Sequence, residues 1–233
     1  MTSEFENTIR ERRAIRAFPE RPVGCQTLER IFRTAGCAPS GANLQPGKFH
    51  VLTGQPLHSL SERQQEAERC GEEVSLEYSH FPDPVPKAPG ERPRIAGYAL
   101  YATRGIERRD IAGRRGQFAQ NCKFFGTPVG VIVTIDRATG KGCFMDLGMA
   151  IMSFPLAVED RGLGATGIGA MASYGPIVHR AIDLPEDETV VCGVAAGWPK
   201  PDAAINQFRT ERASLNEFAT FYGFESADNE EAQ

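Results

Sequence analysis

The sequence predicts an α+β fold. Helical periodicity covers most of the chain, and about four short strand-like runs are interleaved with it. The helices are too many, and the strands too irregularly spaced, for a doubly wound nucleotide fold. A length of 233 residues suits one domain with a single core, with 41% hydrophobic and 24% charged residues, ordinary for a globular chain.

Residues 4–13 read as a helix, with Phe5, Thr8, Ile9 and Arg12 at helical spacing, Ser3 as N-cap and Glu6 three residues on. The helix runs into RRAIRAF, residues 12–18, which Pro19 and Pro22 break. Residues 26–36 form a second helix with Leu28, Ile31, Phe32 and Ala35 on one face. The next stretch is CAPSGANLQPGKFHV, Cys37 to Val51. Its prolines fix φ, and Gly41 and Gly47 allow close approach or positive φ. Such a loop is rigid, carries free N–H groups and can lie against a flat ligand.

A strand at 48–53 is ended by Gly54, and residues 55–70 form a polar helix whose exposed face includes Glu62, Arg63, Gln64 and Gln65. Residues 79–94 hold five prolines and read as a surface excursion, of the kind that serves as a lid or binding element. Residues 95–125 are mostly helical and arginine-rich. PVGVIVTID, 128–136, is a continuous apolar run rich in β-branched residues, hence a buried strand. The helix 146–160 is apolar nearly all round, which predicts a central, buried position, with a kink at Pro155. GLGATGIGAM is a glycine-rich strand and turn, 175–182 a short helix from Pro176, and 189–198 a second buried strand. The tail 203–224 holds an extended piece and a short helix, and the acidic run 225–233 predicts disorder.

Net charge is −4, with no basic block that would track a phosphate backbone, so no nucleic-acid partner is expected. The opening MTSEFENTIRERR lacks signal- or transit-peptide character, and the apolar stretch 143–158 carries Asp146 and Pro155 and is too short to span a bilayer. The expected compartment is the cytoplasm. The six cysteines and four histidines are scattered without metal-ligand spacing, so no metal site is expected.

Five stretches can carry chemistry. RRAIR gathers Arg12, Arg13 and Arg16 at a helix end, where guanidinium groups bind phosphate; the bland reading is a solvated basic terminus. PSGAN offers Ser40, Gly41 and Asn43, small donors on a tight loop, or an ordinary turn. QNCKFF sets Gln120 and Lys123 three apart before a buried strand; Phe124 and Phe125 serve as core or as a substrate platform. GATGIGA lets backbone approach a ring edge-on, or simply packs tightly. NQFRTER places Arg209 and Arg212 within reach of a phosphate, or on a solvated face.

Taken in order and spacing (RRxxRxF, APSGxNxQP and a strand, PVGVIV, GLG, GWP, NxxxRxxR), these stretches resemble the FMN-dependent nitroreductase family from Arg10 to Phe224. KFFGTPVGVIVTID and HRAIDLPEDETVVCGVAAGWP are most similar to the branch that reduces nitrobenzene and nitrobenzoates. The resemblance implies a three-layer fold, a small, mostly antiparallel sheet flanked by helices, in an intertwined homodimer. It implies one FMN-binding domain over 1–224, with a lid at about 72–116 and a dimer-wrapping tail at 203–224.

For the site, the resemblance implies that Arg12 and Arg13 hold the FMN phosphate and ribityl chain and Arg16 reaches the pyrimidine side of the ring. Ser40, Gly41 and Asn43 lie against the flavin of the other subunit. Gln120 and Lys123 contact the pyrimidine edge, and Gly167, Ile168 and Gly169 face N5. Arg212, with Arg209, completes the phosphate site. Three positions depart from the pattern: Ala14 replaces a Ser, Gly47 replaces the Trp of QPW, and Gly169 replaces a Glu. An altered substrate pocket follows, bounded by Phe124, Phe125 and Gly47. The implied activity is two-electron reduction of a small nitroaromatic by NAD(P)H, in ping-pong order through flavin N5 with no protein general base. Flavin chemistry on a quinone, enone or halogenated aromatic, and non-enzymatic flavin binding, are the alternatives. Arginines at 92–115 point to a carboxylated substrate, or to a solvated face.

Overall fold

The computed structural model describes residues 2–72, 75, 77, 78 and 87–224. Residues 79–86, part of the expected excursion, and the tail 225–233 lie outside the described residues. The helices are α1 (Glu4–Glu11), α2 (Cys25–Ala35), α3 (Gly54–Cys70), α4 (Lys87–Ala102), α5 (Ile111–Ala119), α6 (Lys141–Glu159), α7 (Gly175–Ile182), α8 (Ala204–Gln207) and α9 (Leu215–Phe218). The strands are β1 (Gly47–Thr53), β2 (Val129–Asp136), β3 (Gly164–Ile168) and β4 (Glu188–Gly197). They form one sheet in the order β1-β2-β4-β3, with every neighbouring pair antiparallel.

The sheet is covered on both faces, which makes three layers. Val129, Val131, Val133 and Ile135 of β2 pack with Leu28 and Ile31 of α2 and Leu147, Phe154 and Val158 of α6. Ile132 points the other way, to Leu57 and Leu60 of α3 and Val178 of α7. This alternation is the period of two that a strand imposes. A register shift at Val133/Thr134 opposite Val190–Cys192 flips the parity along β4. Val191 and Val194 therefore share one face, while Val190 and Ala195 share the other. Each large apolar side chain buried here contributes about 1.5–3 kcal/mol.

Several local expectations change. Residues 87–94 of the proline-rich excursion are helical, opening α4, with Pro93 inside the helix. Gln64 is fully buried, because α3 turns it inward with Leu57 and Leu60; its amide donates to Met171 Sδ at 2.6 Å, and its Oε1 has no partner among the described residues. Helix α6 runs through Pro155 without ending there. It also buries one face only: Leu147, Phe154, Ala157 and Val158 are in the core, whereas Met145 is 71% and Met152 42% exposed. By length and composition α6 would suffice to cross a membrane, yet its buried face is a wall of the sheet's core. The tail forms two short helices, the second closed by a capping box of Ser214 and Glu217.

An ion cluster joins three strands at one end of the sheet. Glu188 of β4 is 2% exposed. Its carboxylate accepts from Lys48 Nζ of β1 at 2.7 Å and Thr134 Oγ1 of β2 at 2.5 Å, and meets His50 Nε2 of β1 at 2.9 Å. Burial pushes its pKa up, but the bonds from Lys48, Thr134 and His50 outweigh burial and hold it at about 2. A value depressed from 4.5 contributes stability that is complete above about pH 4.5 and lost as the pH falls towards 2. Glu188→Gln should therefore destabilise the protein by about 2–3 kcal/mol at pH 7. In urea titrations the gap between wild type and variant should narrow steadily below pH 5. A gap that does not depend on pH would remove the charge from this account.

The loop before β1 uses Gly47 for close approach, as expected, but not for positive φ. The left-handed residues are Ala42 (φ 50°), Asn43 (φ 58°) and Gln45 (φ 47°). Left-handed backbone costs an Ala or Gln about 1–2 kcal/mol, so the surrounding bonds must hold it. Ser40 Oγ accepts from the Gln45 N–H at 2.9 Å, and Gln45 Nε2 donates to Asn43 Oδ1 at 2.9 Å. A Cβ on Gly47 would overlap Leu147 Cδ1, whose side chain is 1% exposed. The volume in front of Gly47 is thus occupied by α6. Gly47→Ala should cost about 1–3 kcal/mol by overpacking, and pairing it with Leu147→Ala should make the two costs non-additive by at least about 0.5 kcal/mol. Additive costs in a double-mutant cycle would show that Leu147 yields freely.

Candidate functional site: an arginine-lined cavity

The segment Arg12–Ala17 follows α1 as extended chain and adds itself to the free edge of the sheet. Ile15 N–H donates to Ala165 O at 3.1 Å, and Ala14 makes a parallel bridge with Ala165. The contact requires Gly164, since a Cβ there would overlap the Ile15 side chain, itself 3% exposed. Extended chain alternates its side chains, so with Ile15 buried, its neighbours Ala14 and Arg16 face the other way. The parallel sense of the bridge runs Arg16 alongside Gly167.

The C-terminal tail closes the other side. Arg209 donates to Arg10 O at 2.6 Å and Glu11 O at 3.3 Å, at the C-terminal end of α1, where a cation suits the helix dipole. Arg212 Nη1 donates to Thr210 O at 3.0 Å and Thr210 Oγ1 at 2.5 Å. Arg13 Nε donates to Asn206 O at 2.5 Å. Between the two ends of the chain lies a cavity of about 660 Å³, lined by Arg10, Arg12, Arg13, Ala14, Arg16, Arg209 and Arg212 with Ile9, Met152, Phe208 and Thr210.

Its charge is unbalanced. Burial, then the neighbouring Arg212 and Arg209, push the Arg12 guanidinium pKa down, with Glu159 opposing. Burial also lowers Arg16. Glu159 is raised by burial, against the pull of Arg13 and Arg12. Arg12 Nε is buried and has no hydrogen-bond partner among the described residues. A buried, unsatisfied cationic donor among like charges is costly, and a multivalent anion relieves both penalties at once. Among the described residues that line it, the six arginines suit the cavity to anion binding and charge stabilisation.

The other candidate residues fall at separate places in the single chain. Gly167 and Gly169 are exposed at the β3 edge and the turn after it, and nothing lies within 4 Å of where a Gly167 Cβ would stand. Ile168 between them is 1% exposed and belongs to the core. Ser40, Gly41 and Asn43 sit on the loop over the first half of α6, beside a cavity of about 160 Å³ walled by Phe32, Gly47, Phe49 and Asp146. Gln120 caps the C-terminus of α5, and Lys123 is exposed on a groove of about 710 Å³ shared with Pro22, Leu57 and Thr127. Phe124 and Phe125 are 0% and 9% exposed, packed in the core with Ile132 and Met171. They line none of these three cavities, and both occupy left-handed backbone. The sequence reading placed Asn206 and Phe208 inside NQFRTER but gave them no role, and it passed over Met152. Asn206 is itself 1% exposed, and one-dimensional spacing does not reveal that burial.

Known proteins share this fold. The nitroreductase family model matches residues 9–198. The chain is 34% identical to the chloronitrobenzene nitroreductase of Comamonas testosteroni, over 94% of this chain and 98% of that protein. It is 32% identical to the 4-nitrobenzoate reductase of Pseudomonas putida, over 97% and 98%. The crystal structure of the FMN and NADPH-dependent nitroreductase NfnB from Sphigopyxis sp. strain HMH superposes with a TM-score of 0.92 at 34% identity, covering 95% of this chain and all of that one. From the match over most of its length, the chain belongs to the nitroreductase family.

Proposed function

We propose that this chain is an FMN-dependent oxidoreductase that uses NAD(P)H to reduce a nitroaromatic compound. The observation that carries the reading is the arginine cavity with its unsatisfied Arg12 Nε. A phosphate monoester, dianionic near neutral pH, fits that donor set. The relatives named for chloronitrobenzene and 4-nitrobenzoate, and the neighbour described as FMN and NADPH-dependent, support the cofactor, the electron donor and the substrate class.

In this reading Arg12, Arg13, Arg209 and Arg212 hold the phosphate, and Arg16, beside the β3 edge, faces the ring. Ala14 contributes a methyl where a hydroxyl would add a bond. Gly167 and Gly169 leave the edge of β3 flat and open, with Ile168 fixing them to the core. When bound, FMN supplies the hydride chemistry that couples NAD(P)H oxidation to nitro-group reduction. The protein's part is to anchor, to keep cationic donors on one side of the ring, and to leave the other face accessible. No residue is assigned a catalytic proton transfer.

The proposal includes a homodimer in the cytoplasm. Met152 lines the cavity and is 42% exposed on the uncovered face of α6, so the cavity opens onto the apolar surface that a second copy would cover. The tail supports this with Phe218, Phe221 and Tyr222 exposed by 72%, 63% and 85%. Across such an interface Ser40, Gly41 and Asn43 would complete the flavin site of the other copy, with Gln120 and Lys123 at a pyrimidine edge. Gly47, filled by Leu147, would shape the substrate end, with Phe124 and Phe125 acting from behind as core. The span 72–116 is proposed as the lid and 203–224 as the wrapping tail of a single domain.

Two measurements test the reading. Anaerobic NADPH should bleach the yellow holoprotein, and 4-nitrobenzoate should restore the colour; a flavin that NADPH leaves oxidised would instead mark a storage protein. Removing one charge-assisted donor costs about 1.5–3 kcal/mol. Arg12→Ala should therefore weaken FMN binding about 10- to 100-fold in a fluorescence titration, and unchanged affinity would place the phosphate elsewhere.

A further inference from the structure

We infer that Asn206 is the positioning residue of the arginine cavity, the group that sets where Arg13 and Arg16 stand. The inference rests on reading the cavity as the FMN phosphate site. Asn206 is 1% exposed at the end of the short tail segment that closes the cavity. Its Oδ1 accepts from the Arg16 N–H at 2.8 Å and the Ala17 N–H at 3.0 Å. Its Nδ2 donates to Ala17 O at 2.8 Å and Lys200 O at 3.0 Å. An amide has two donor hydrogens and two acceptor lone pairs, and here all four are used on backbone. The Asn206 carbonyl takes the Arg13 Nε.

One residue thus controls two arginines, Arg16 through its main chain and Arg13 through its guanidinium. Elsewhere the segment is held by Ile15 N–H on Ala165 O and by Lys200 N–H on Ala17 O at 3.0 Å. Freed from Asn206, the part-buried Arg16 and Ala17 amides lose their partners, and the segment must shift or take in water. No other side chain supplies the same four bonds: Asp lacks the donors, and Gln is one methylene too long for a position with no free surface.

The test is titration of apoprotein with FMN and with riboflavin, which lacks the phosphate, for wild type, Asn206→Ala, Asn206→Ser and Arg12→Ala. Asn206→Ala should weaken FMN about tenfold and riboflavin less, since both ligands lose the placement of Arg16 at the ring but only FMN loses that of Arg13 at the phosphate. The FMN-to-riboflavin ratio should then fall. Asn206→Ser, which keeps one hydroxyl, should fold and give an intermediate ratio, and serves if the alanine variant does not fold. A variant that melts earlier but keeps the wild-type ratio would make Asn206 a structural residue only and overturn the inference. Arg12→Ala separates the two levels. If it collapses the ratio and both Asn206 variants do not, the positioning role fails while the phosphate site stands. If it leaves the ratio intact, the phosphate reading fails as well.

Discussion

Unbalanced charge is the constraint around which the molecule is arranged. Six arginines from the two ends of the chain line one cavity, and the carboxylate that opposes their repulsion at Arg12, Glu159, lies outside its lining. Without an anion this arrangement costs stability through repulsion and a buried donor left unpaired. With one, the same groups become a preorganised cradle, and binding stabilises the folded state by mass action. The protein without its anion is therefore expected to be the weaker fold, and the cofactor part of its stability.

The scaffold supplies what such a cradle needs, fixed backbone on each side. Ile15 docks into the space left by Gly164, and the tail returns through Lys200 and Asn206 to the same segment. Farther down the chain, Trp198 Nε1 donates to Pro22 O at 3.3 Å while Arg21 lies 3.7 Å from the Trp198 ring centre, so the N-terminal segment is stitched at both ends. Sheet and site have different fastenings. The sheet is locked by apolar burial and the Glu188 cluster, the cavity by hydrogen bonds to main chain. That separation lets the cavity be altered without unfolding the sheet.

Much of the fold is legible in the sequence because its signals are local. The β-branched run at 128–136, the apolar face of 26–36 and the proline at the start of 175–182 each dictate an element directly. What the sequence hid depends on partners far along the chain. Gln64 looks like a surface residue until α3 is rotated onto the sheet. Phe124 and Phe125, open in the sequence as core or platform, lie in the core beside Ile132 and Met171. The apolar character of α6 reads as central burial, yet one of its faces, with Met145 and Met152, is exposed. In the site, the arginines announced themselves by clustering. Asn206 stood in the NQFRTER stretch, but its four bonds to main chain leave no trace in residue type or spacing.

The central claim is that the phosphate of FMN rests among these arginines, and the phosphorus nucleus reports on it directly. Free FMN phosphate takes up its second proton near about pH 6. A phosphate held by several guanidinium groups should stay dianionic well below that. The account predicts that the ³¹P resonance of the bound cofactor stays fixed from about pH 8 to about pH 5. A resonance that titrates near 6 like the free nucleotide would contradict it.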